Sequence, residues 1–486
     1  MAERGSPTGW FGQQSLKFAC HNTLLFKILK RLKASLVLKI ACFLGVVTWG
    51  TTDGGAQPVA KIAAGFYHSL FIKADGSLWD MGFDQYGQLG DGNFYTASPY
   101  GTNLPEQIVP SGVTMISGGV NHTLFLTSGG KLWATGENNF GQLGDGSVNN
   151  VNIPEQIIPG SISTISAGSY DSLFVETNGS LWVVGNNRFG TLGDGTTNNS
   201  YQPEQIVASN VTAVAAGYTH NLFLMSNGSL WGMGNNASGE LGDGTYTNTN
   251  RPVQIALSNV VAIAAGNGHS LFLKNDGSLW AMGENDLGEL GDGSYLNRKL
   301  PEQIISSNVI AIAAGDFHSL FLKNDGSLWG MGDDDTGQLG DGSYGYINKP
   351  EQLISSDVTA IAAGGSSSLI IKSDGSLWAS GENSFGELGD GVFNTVFPQG
   401  TNQFQLIVPG SHNYNNISVQ LLSSGDCKLS FVGIAEANYA LESSFSLFPP
   451  NWIPLATNAA NSSGTLNFTN MPVQTTNSFW RIRWVP

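Results

Sequence analysis

The chain has 486 residues, of which 64 are glycine, 10% are aromatic and only 12% are charged. This balance excludes an intrinsically disordered protein and favours many short strands joined by turns. The net charge is −16, and the part after residue 56 carries 14 basic against 35 acidic residues, which argues against a nucleic-acid partner because nucleic acids are bound through lysine and arginine.

Residues 1–56 have the layout of a secretory signal peptide. A basic stretch that starts at Lys27 precedes an apolar run from Ala34 to Val47, and small residues follow up to Ala56. This order is typical of secretion signals, so we expect a secreted or cell-surface protein with no membrane contact beyond this segment. An uncleaved anchor is the alternative, although the apolar run is short for a span of about 20 residues.

Cysteine usage offers no disulfide and no metal motif. Cys20 and Cys42 lie in the signal segment, so a cleaved chain keeps only Cys427. No Cys-x-x-Cys pair or Cys/His cluster indicates zinc. We therefore predict no metal site and no cofactor.

From residue 57 the chain repeats one pattern seven times. Its tryptophans recur at spacings of 54 residues once and 49 residues five times, and the aspartates of a Gly-Asp-Gly triplet keep the same spacings. Such recurrence predicts a repeat architecture. The tryptophans are Trp79, Trp133, Trp182, Trp231, Trp280, Trp329 and Trp378, and the aspartates are Asp91, Asp145, Asp194, Asp243, Asp292, Asp341 and Asp390.

Each repeat unit predicts four short strands. In residues 259–304 these are VVAIAAG, HSLFLK, SLWAMG and PEQI, with a tight NDGS turn between the second and third. Four strands in about 50 residues are typical of a propeller blade, which must stack on its neighbours. We predict an all-β fold, a seven-bladed β-propeller over residues 57–410.

The two ends of the repeat region look complementary. The first unit begins at Val59 with no PEQI strand before it, while the last unit continues to a PEQI-like segment, Phe404–Ile407. The first and last units also share the same five extra residues after Gly92 and Gly391. Because a closed ring leaves no open sheet edge, we expect Phe404–Ile407 to pair with the first strands.

The unit AAGxxHSLFLKxDGSLWxMGxNxxGxLGDG resembles the repeat of the regulator of chromosome condensation (RCC1) family. The resemblance implies a seven-bladed propeller. The family's eukaryotic founder is a nuclear guanine-nucleotide exchange factor that also binds chromatin, and its secreted bacterial members include a β-lactamase inhibitor. This chain differs from the nuclear type in its signal-like N-terminus, its acidic charge and its lack of a basic tail, so the resemblance points to the secreted bacterial type.

The residues that recur in every unit favour structural roles. Seven equivalent aspartates on separate blades form no catalytic pair, and we expect each to cap a tight bend. We expect the tryptophans to pack between blades. Histidine occupies one repeat position in five units, and we expect it to bond across blades. Asp333–Asp335 is the densest acidic cluster and lacks the spacing of a calcium loop. We identify no catalytic residue.

The positions that vary within the repeat are the candidate binding residues. Two residues before the histidine position change in every unit, and variable aromatic positions in loops are typical of interface anchors. Phe140, Phe189 and Phe385, in a second variable pair, either join such a face or pack beneath their own loops. The predicted binding residues are Phe66, Tyr67, Tyr170, Tyr218 and Phe317.

After the repeats, residues 417–486 alternate in short runs divided by Gly, Asn and Pro. This pattern predicts a small all-β, sandwich-like module. With no disulfide available, the module must rest on its core, which we expect to contain Phe431, Tyr439, Leu441, Trp452, Phe468, Trp480 and Ile482. The module resembles C-terminal modules of surface proteins of the Verrucomicrobia type.

Together these features predict a secreted, monomeric, non-enzymatic scaffold. A rigid propeller presents loops, and we expect these to bind a protein or a cell-surface glycan. An extracellular polysaccharide-active enzyme is the alternative, and it requires two blade-specific carboxylates facing the central channel. A guanine-nucleotide exchange regulator is a more remote alternative that requires a cytosolic location.

Overall fold

The computed structural model describes residues 57–396, residues 398–410 and six strands between residues 418 and 485. The predicted signal peptide, residues 1–56, lies outside the described part. All regular elements described are β-strands. Within the described residues there is no helix long and apolar enough to cross a membrane.

The repeat region is a seven-bladed propeller, as the sequence predicts. Each blade is an antiparallel sheet of four consecutive strands. Blade 1 contains β1 (Val59–Ala64), β2 (His68–Lys73), β3 (Leu78–Phe83) and β4 (Gly101–Val109). Blade 2 contains β5 (Val113–Gly118), β6 (His122–Thr127), β7 (Lys131–Gly136) and β8 (Val151–Ile158). Blade 3 contains β9 (Ile162–Ala167), β10 (Asp171–Glu176), β11 (Leu181–Gly185) and β12 (Ser200–Val207).

The remaining four blades repeat this order. Blade 4 contains β13 (Val211–Ala216), β14 (His220–Met225), β15 (Leu230–Gly234) and β16 (Thr249–Ala256). Blade 5 contains β17 (Val260–Ala265), β18 (His269–Lys274), β19 (Leu279–Gly283) and β20 (Arg298–Ile305). Blade 6 contains β21 (Val309–Ala314), β22 (His318–Lys323), β23 (Leu328–Asp333) and β24 (Tyr346–Ile354). Blade 7 contains β25 (Val358–Ala363), β26 (Ser367–Lys372), β27 (Leu377–Glu382) and β28 (Gly400–Val408).

Burial follows the order of strands within a blade. The second strand, such as β18, is buried along almost its whole length, because it lies between the sheets of two neighbouring blades. Its sequence HSLFLK is therefore mostly apolar rather than strictly alternating. The fourth strand, such as β20, forms the outer edge and is largely exposed or half-buried. The core of the ring thus consists of clusters between adjacent blades.

One expectation about ring closure is wrong. Phe404–Ile407 lies in β28, which pairs with β27 of its own blade, with Trp378 opposite Leu406. It does not pair with the first strands, and no blade is shared between the two ends of the chain. Strands that follow one another along the chain usually pair, and β28 follows β27.

Side-chain packing joins complete blades 7 and 1 instead. Val59 and Phe71 of blade 1 share one buried cluster with Leu369, Ile371 and Val408 of blade 7. The first strands of neighbouring blades also contact each other all the way round, including β25 and β1. The ring is therefore closed, as predicted, but by packing between two complete blades and not by pairing of the two end segments.

Backbone hydrogen bonds link the blades around the central channel. The N–H of Phe66 donates to the carbonyl of Gly119 in blade 2 at 3.0 Å, and the N–H of Gly365 in blade 7 donates to the carbonyl of Gly65 at 3.3 Å. A Cβ on Gly65 would lie 2.5 Å from that Gly119 oxygen. Glycine is therefore required where the chain turns against the next blade.

Both ends of the propeller meet at the β26–β27 turn of blade 7. The N–H of Val59 donates to the carbonyl of Gly375 at 2.9 Å. At the other end, Gly410 lies so close to this turn that a Cβ on it would collide with the carbonyl oxygen of Asp374. This turn is at the opposite end of its strands from the loop that joins β25 to β26.

The C-terminal part contains two three-stranded antiparallel sheets, ordered β29-β30-β33 and β32-β31-β34. Phe468, one of the predicted core residues, is buried with 2% of its surface exposed. The six strands are β29 (Ser418–Leu421), β30 (Cys427–Val432), β31 (Asn438–Ser444), β32 (Ile453–Ala459), β33 (Thr465–Met471) and β34 (Phe479–Val485).

Candidate binding face

One face of the ring carries most of the blade-specific side chains. In each blade the loop between the first and second strands lies beside the end of the third strand. In blade 1 the N–H of Phe83 donates to the carbonyl of Tyr67 at 2.8 Å, and in blade 7 the N–H of Glu382 donates to that of Ser366 at 2.8 Å. We call the surface formed by these two segments of every blade the loop face.

Four of the five predicted binding residues meet on the loop face. Phe66 of blade 1 lies 6.5 Å from Tyr218 of blade 4, measured between ring centroids, so these two rings meet across the channel mouth. Tyr218 lies 6.2 Å from Tyr170 of blade 3, and Phe66 lies 4.2 Å from Tyr67. Residues far apart in the chain are thereby joined in one row.

The row of rings extends on both sides. Phe140 of blade 2 lies 5.1 Å from Tyr170. On the other side, Tyr67 lies 5.4 Å from Phe385 of blade 7 and 5.8 Å from Phe83. Edge-to-face and tilted pairs at these distances are favourable beyond simple burial. The aromatic band, as we call it, comprises Phe140, Tyr170, Tyr218, Phe66, Tyr67, Phe385 and Phe83.

Phe317 does not join this band. It is half-buried in blade 6, and the ring contacts found among the described residues do not include it. Its neighbour Asp316 lines the channel mouth at the position that Phe66 and Tyr218 occupy in their blades. Sequence reasoning grouped the five aromatic residues by repeat position, whereas their separation depends on which blades lie next to one another.

The loop face of blades 5 to 7 is acidic. Burial raises the pKa of Asp316 to about 8, and the negative charges of Glu382 and Glu284 add to the shift. Burial likewise raises the pKa of Glu284 and of Glu382. Both ion pairs within the described residues involve Arg298 of β20, so these carboxylates have no basic partner there.

Sequence reasoning missed these carboxylates. Glu284 and Glu382 stand directly after the third-strand glycine. Blades 2 and 6 are also acidic there, while blades 1, 3 and 4 carry Phe83, Asn186 and Asn235. The variability of this position within the repeat was the signal that could have identified them. Asp316 is one of the two variable residues before the histidine position of blade 6, but only aromatic residues at those positions were predicted to bind.

The extra residues of blades 1 and 7 line a cavity of about 330 Å³ at the junction of those two blades. Ser98 to Tyr100 of blade 1 form one wall, while Thr395 and Gln399 of blade 7 form another. Tyr67, Phe385, Glu382 and Ser384 complete the lining. The two insertions into an otherwise regular repeat therefore converge on one place.

The repeated histidines bond across blades, confirming their predicted role. Nε2 of His269 lies 3.0 Å from the Ser319 hydroxyl of blade 6, and that hydroxyl donates to the carbonyl of Glu289 at 2.8 Å. Because the hydroxyl gives its proton to the carbonyl, it must accept from an Nε2–H. Burial lowers the pKa of His269 to about 3, so the ring is neutral.

The same arrangement, with variations, occurs between other blades. His68, His122, His220 and His318 lie 2.8 to 3.0 Å from a hydroxyl of the following blade. In blade 3 the histidine is replaced by Asp171, which accepts from the Asn221 amide at 2.5 Å. These residues hold blades together and do not form a reactive site.

The Gly-Asp-Gly aspartates lie in the loops between third and fourth strands. Oδ1 of Asp145 accepts the N–H of Ser147 at 2.8 Å and the side-chain amide of Asn138 at 3.0 Å. The other six aspartates also accept a backbone N–H from two residues further on, at 2.6 to 2.9 Å. Their carboxylates are therefore engaged in holding the loop.

The tryptophans lie at the boundaries between blades. Trp280 packs against a cluster that contains Leu222 of blade 4 and Phe272 of blade 5. Its ring lies parallel to that of Phe272 at 6.1 Å between centroids, and its Nε1–H donates to the Ser278 hydroxyl at 2.9 Å. The Lys274 ammonium lies 3.9 Å from the ring centroid.

Asp333–Asp335 is also used within its own loop. Asp333 accepts the N–H of Asp335 at 2.9 Å, Asp334 accepts that of Leu339 at 2.7 Å, and Asp335 accepts the Tyr346 hydroxyl at 2.6 Å. Within the described part of the chain, no group of three His, Cys, Asp or Glu residues is placed to hold a metal ion.

Known proteins share this architecture. In Saccharomyces cerevisiae, Prp20p has a solved structure that superposes with a TM-score of 0.60 at 22% identity, covering 75% of this chain and 89% of that chain. The structure of human WBSCR16 gives a TM-score of 0.59 at 24% identity, covering 65% of this chain and 87% of that chain. At these identities the likeness establishes the fold alone.

Curated relatives share shorter segments. The ultraviolet-B receptor UVR8 of Arabidopsis thaliana is 35% identical over 104 residues, which are 20% of this chain and 21% of the receptor. Protein RCC2 of Mus musculus is 39% identical over 84 residues, 17% of this chain and 16% of that protein. The X-linked retinitis pigmentosa GTPase regulator homolog of Caenorhabditis elegans is 38% identical over 107 residues, 20% of this chain and 7% of that protein. The matches therefore span at most about a fifth of these relatives.

Family models cover more of the chain. The model of the RCC1-like domain matches residues 47–304. Models of the regulator of chromosome condensation (RCC1) repeat match residues 309–338, 358–387 and 325–371. The matched segments together include parts of all seven blades, and the chain belongs to the family of RCC1-like domain proteins.

Proposed function

We propose that this protein is a secreted, non-enzymatic scaffold that binds a protein partner through its loop face. The observation that carries this proposal is the aromatic band, which crosses the channel mouth and joins residues of blades 1, 2, 3, 4 and 7. Tyrosine and phenylalanine are enriched at the centres of protein interfaces, where they supply large contact areas at low entropic cost.

The packing of the band favours a protein over a glycan. Phe66, Tyr67, Tyr170 and Tyr218 are half-buried and pack edge to face or at a tilt against one another. Sugar binding relies on aromatic ring faces that are exposed to solvent. An uneven, preorganised apolar surface instead suits the complementary side chains of a protein partner. Secretion is inferred from the order of basic, apolar and small residues before residue 57.

The comparisons support a binding role in general terms. Prp20p, which shares the propeller fold, binds Gsp1p and histones. A rigid ring that presents different loops can serve different partners on the same fold. For this chain Glu284 and Glu382 on the loop face favour a partner with a basic surface, while Asp316, whose pKa is raised to about 8, is largely protonated near neutral pH.

The first prediction tests the loop face by affinity capture. Tagged protein is incubated with the extracellular fraction of the producing organism, and bound proteins are quantified by mass spectrometry. The double variant Tyr170→Ala/Tyr218→Ala should reduce recovery of the bound protein by about tenfold or more, the effect of losing hot-spot residues worth about 2 kcal/mol.

A matched control separates the band from exposed tyrosines in general. Tyr295 and Tyr344 are 46% and 47% exposed on the loops between third and fourth strands. The double variant Tyr295→Ala/Tyr344→Ala should capture as much partner as the unchanged protein. Equal capture by the band variant, or equal loss in the control variant, contradicts the proposal.

A polysaccharide-active enzyme is the second candidate, since blade-specific carboxylates do occur at the channel mouth. Asp316 lines the mouth, and Glu284 and Glu382 lie close enough to raise its pKa. Carboxylates in unequal environments are what glycoside hydrolysis requires. Hydrolysis of an envelope or environmental polysaccharide that is abolished by Asp316→Asn would favour this candidate over the scaffold.

A further inference from the structure

The cavity between blades 1 and 7 combines aromatic walls with a carboxylate. Tyr67, Tyr100 and Phe385 line it together with Glu382. Oε1 of Glu382 accepts the Ser384 hydroxyl at 3.1 Å. The remaining lining includes the side chains of Ser98, Thr395 and Gln399, which supply further polar groups. The cavity is thus lined by aromatic rings and polar groups together rather than by apolar side chains alone.

The surroundings of the cavity are rich in carboxyl groups. Burial raises the pKa of Tyr67 to about 12, and the charges of Glu382, Asp316 and Glu387 contribute. Glu387 is 1% exposed, and while its Oε2 accepts the N–H of Phe385, its Oε1 has no hydrogen-bond partner among the described residues. Burial raises the pKa of Glu387 to about 8, so this carboxyl is largely protonated near neutral pH. Glu382 is the carboxyl that lines the cavity, and a positive group there would stabilise its ionised form.

We propose that this cavity receives the guanidinium group of an arginine side chain from the protein partner. This inference rests on the proposed function and specifies the partner's chemistry. A guanidinium group can stack on a tyrosine or phenylalanine ring while its five donors reach Glu382 and the surrounding oxygens. A lysine ammonium is a compact, strongly hydrated charge and matches flat aromatic walls less well.

The position of the cavity supports this assignment. Tyr67 and Phe385 belong both to the cavity and to the aromatic band, so a partner that covers the band reaches the cavity with its edge. The two insertions that form its walls occur in blades 1 and 7, on opposite sides of the junction. One arginine at the rim of the contact surface would therefore contact residues of both the first and the last blade.

The second prediction uses a short peptide as a probe. Acetyl-Gly-Arg-Gly-amide is titrated calorimetrically into the intact protein, and the same peptide with citrulline or lysine in place of arginine provides the comparison. Citrulline has nearly the shape of arginine but no charge. The arginine peptide should bind about tenfold more tightly than either, because both the charge and the planar donor group contribute.

Variants locate the binding. Glu382→Gln should weaken binding of the arginine peptide about tenfold, and Tyr100→Leu should weaken it while leaving the buried core unchanged. Glu284→Gln is the matched control, because Glu284 occupies the same repeat position in blade 5 and its pKa is also raised by burial. That variant should bind the peptide like the unchanged protein.

Each other result overturns the inference. Equal binding of the citrulline peptide excludes a cation site, equal binding of the lysine peptide excludes selectivity for guanidinium, and tighter binding of free choline assigns the cavity to a small quaternary ammonium ligand. Tyr170→Ala/Tyr218→Ala leaves the cavity intact and should not affect peptide binding. Failure of the peptide experiment is thus distinguishable from failure of the capture experiment.

Discussion

A buried histidine of the propeller is held in one tautomer by its hydrogen bond to a serine hydroxyl. Ser319 gives its proton to the carbonyl of Glu289 and accepts from Nε2–H of His269, while Nδ1 of the same ring has no hydrogen-bond partner among the described residues. A charged imidazole would carry a proton on Nδ1 without an acceptor. The site therefore favours the neutral ring, and burial lowers the pKa of His269 to about 3.

The third prediction follows from this pKa shift. Between the ordinary pKa of about 6.5 and the lowered value, the unfolded chain binds the proton and the folded chain does not, so stability falls as the pH falls. His269→Gln keeps a donor to Ser319 but cannot titrate. Its unfolding free energy should drop by about 2 kcal/mol less than that of the unchanged protein between pH 7 and pH 5.

Urea denaturation at the two pH values measures this difference. Buried carboxyl groups such as Asp171, whose pKa burial raises to about 7, act in the opposite direction, since their contribution to stability is lost as the pH rises. They are the same in both proteins and cancel from the comparison. Parallel losses in the two proteins would mean that His269 does not titrate on unfolding as argued.

At the level of the strand, one set of lysine, tryptophan and phenylalanine side chains recurs in blades 1, 5 and 6. In blade 5 the Lys274 ammonium lies over the Trp280 ring, and the Phe272 ring lies parallel to Trp280 on the paired strand. Trp280 also packs against Leu222 and the rest of the cluster it shares with blade 4. The third strand thus joins two blades through one large side chain.

The fourth prediction compares two side chains of this set, Trp280 and Lys274. Trp280→Ala removes the ring from the blade boundary and should lower the unfolding free energy by about 3–5 kcal/mol, as large-to-small core changes do. Lys274→Met removes only the cation above the ring and should cost about 0.5–1 kcal/mol. Chemical denaturation of both variants tests this, and a loss below about 1 kcal/mol for Trp280→Ala would contradict a role between blades.

Strand-level prediction from the sequence succeeded where a rule acts locally. The NDGS turn, the mostly apolar second strand and the recurring third-strand tryptophan each predict structure within one repeat unit, and the structure contains those elements. The partner of Phe404–Ile407 was wrong because a repeat looks the same whether its last strand completes its own blade or the first one. The alignment of units contains no information on that choice.

At the scale of the whole molecule, the junction of blades 7 and 1 differs from the others. Ser367 stands at the histidine position of blade 7, and the Ser69 hydroxyl of blade 1 has no hydrogen-bond partner among the described residues. The histidine-to-hydroxyl bond that joins blades 5 and 6 is therefore not repeated here. Backbone bonding and the shared apolar cluster hold this junction.

The fifth prediction supplies the missing bond. Ser367→His places a ring where five other blades have one, with Ser69 available as its acceptor. The unfolding free energy should rise by about 1 kcal/mol, the usual net worth of a hydrogen bond. Ser69→Ala in the same background should remove the gain. A destabilised Ser367→His protein with unchanged response to Ser69→Ala would show that the ring does not fit this junction.

The candidate site could be predicted from sequence only in part. Repeat alignment identified Tyr67, Tyr170 and Tyr218 as variable aromatic residues, and these do lie together on the loop face. It could not show that Phe317 lies apart or that Tyr100 and Glu382 face one cavity, because those relations depend on blade order around the ring and on how two insertions fold. The distance between two side chains across the closed propeller does not follow from their separation along the sequence.

Both ends of the propeller lie at the Asp374–Gly375 turn, and this position determines which face stays accessible when the propeller is attached to a support. Val59 and Gly410 leave the ring at that turn, on the side away from the channel mouth where Phe66 and Tyr218 lie. A support attached directly at Val59 or Gly410 would consequently lie on the side of the propeller opposite the aromatic band. The aromatic band would then face the solution, from which a partner approaches.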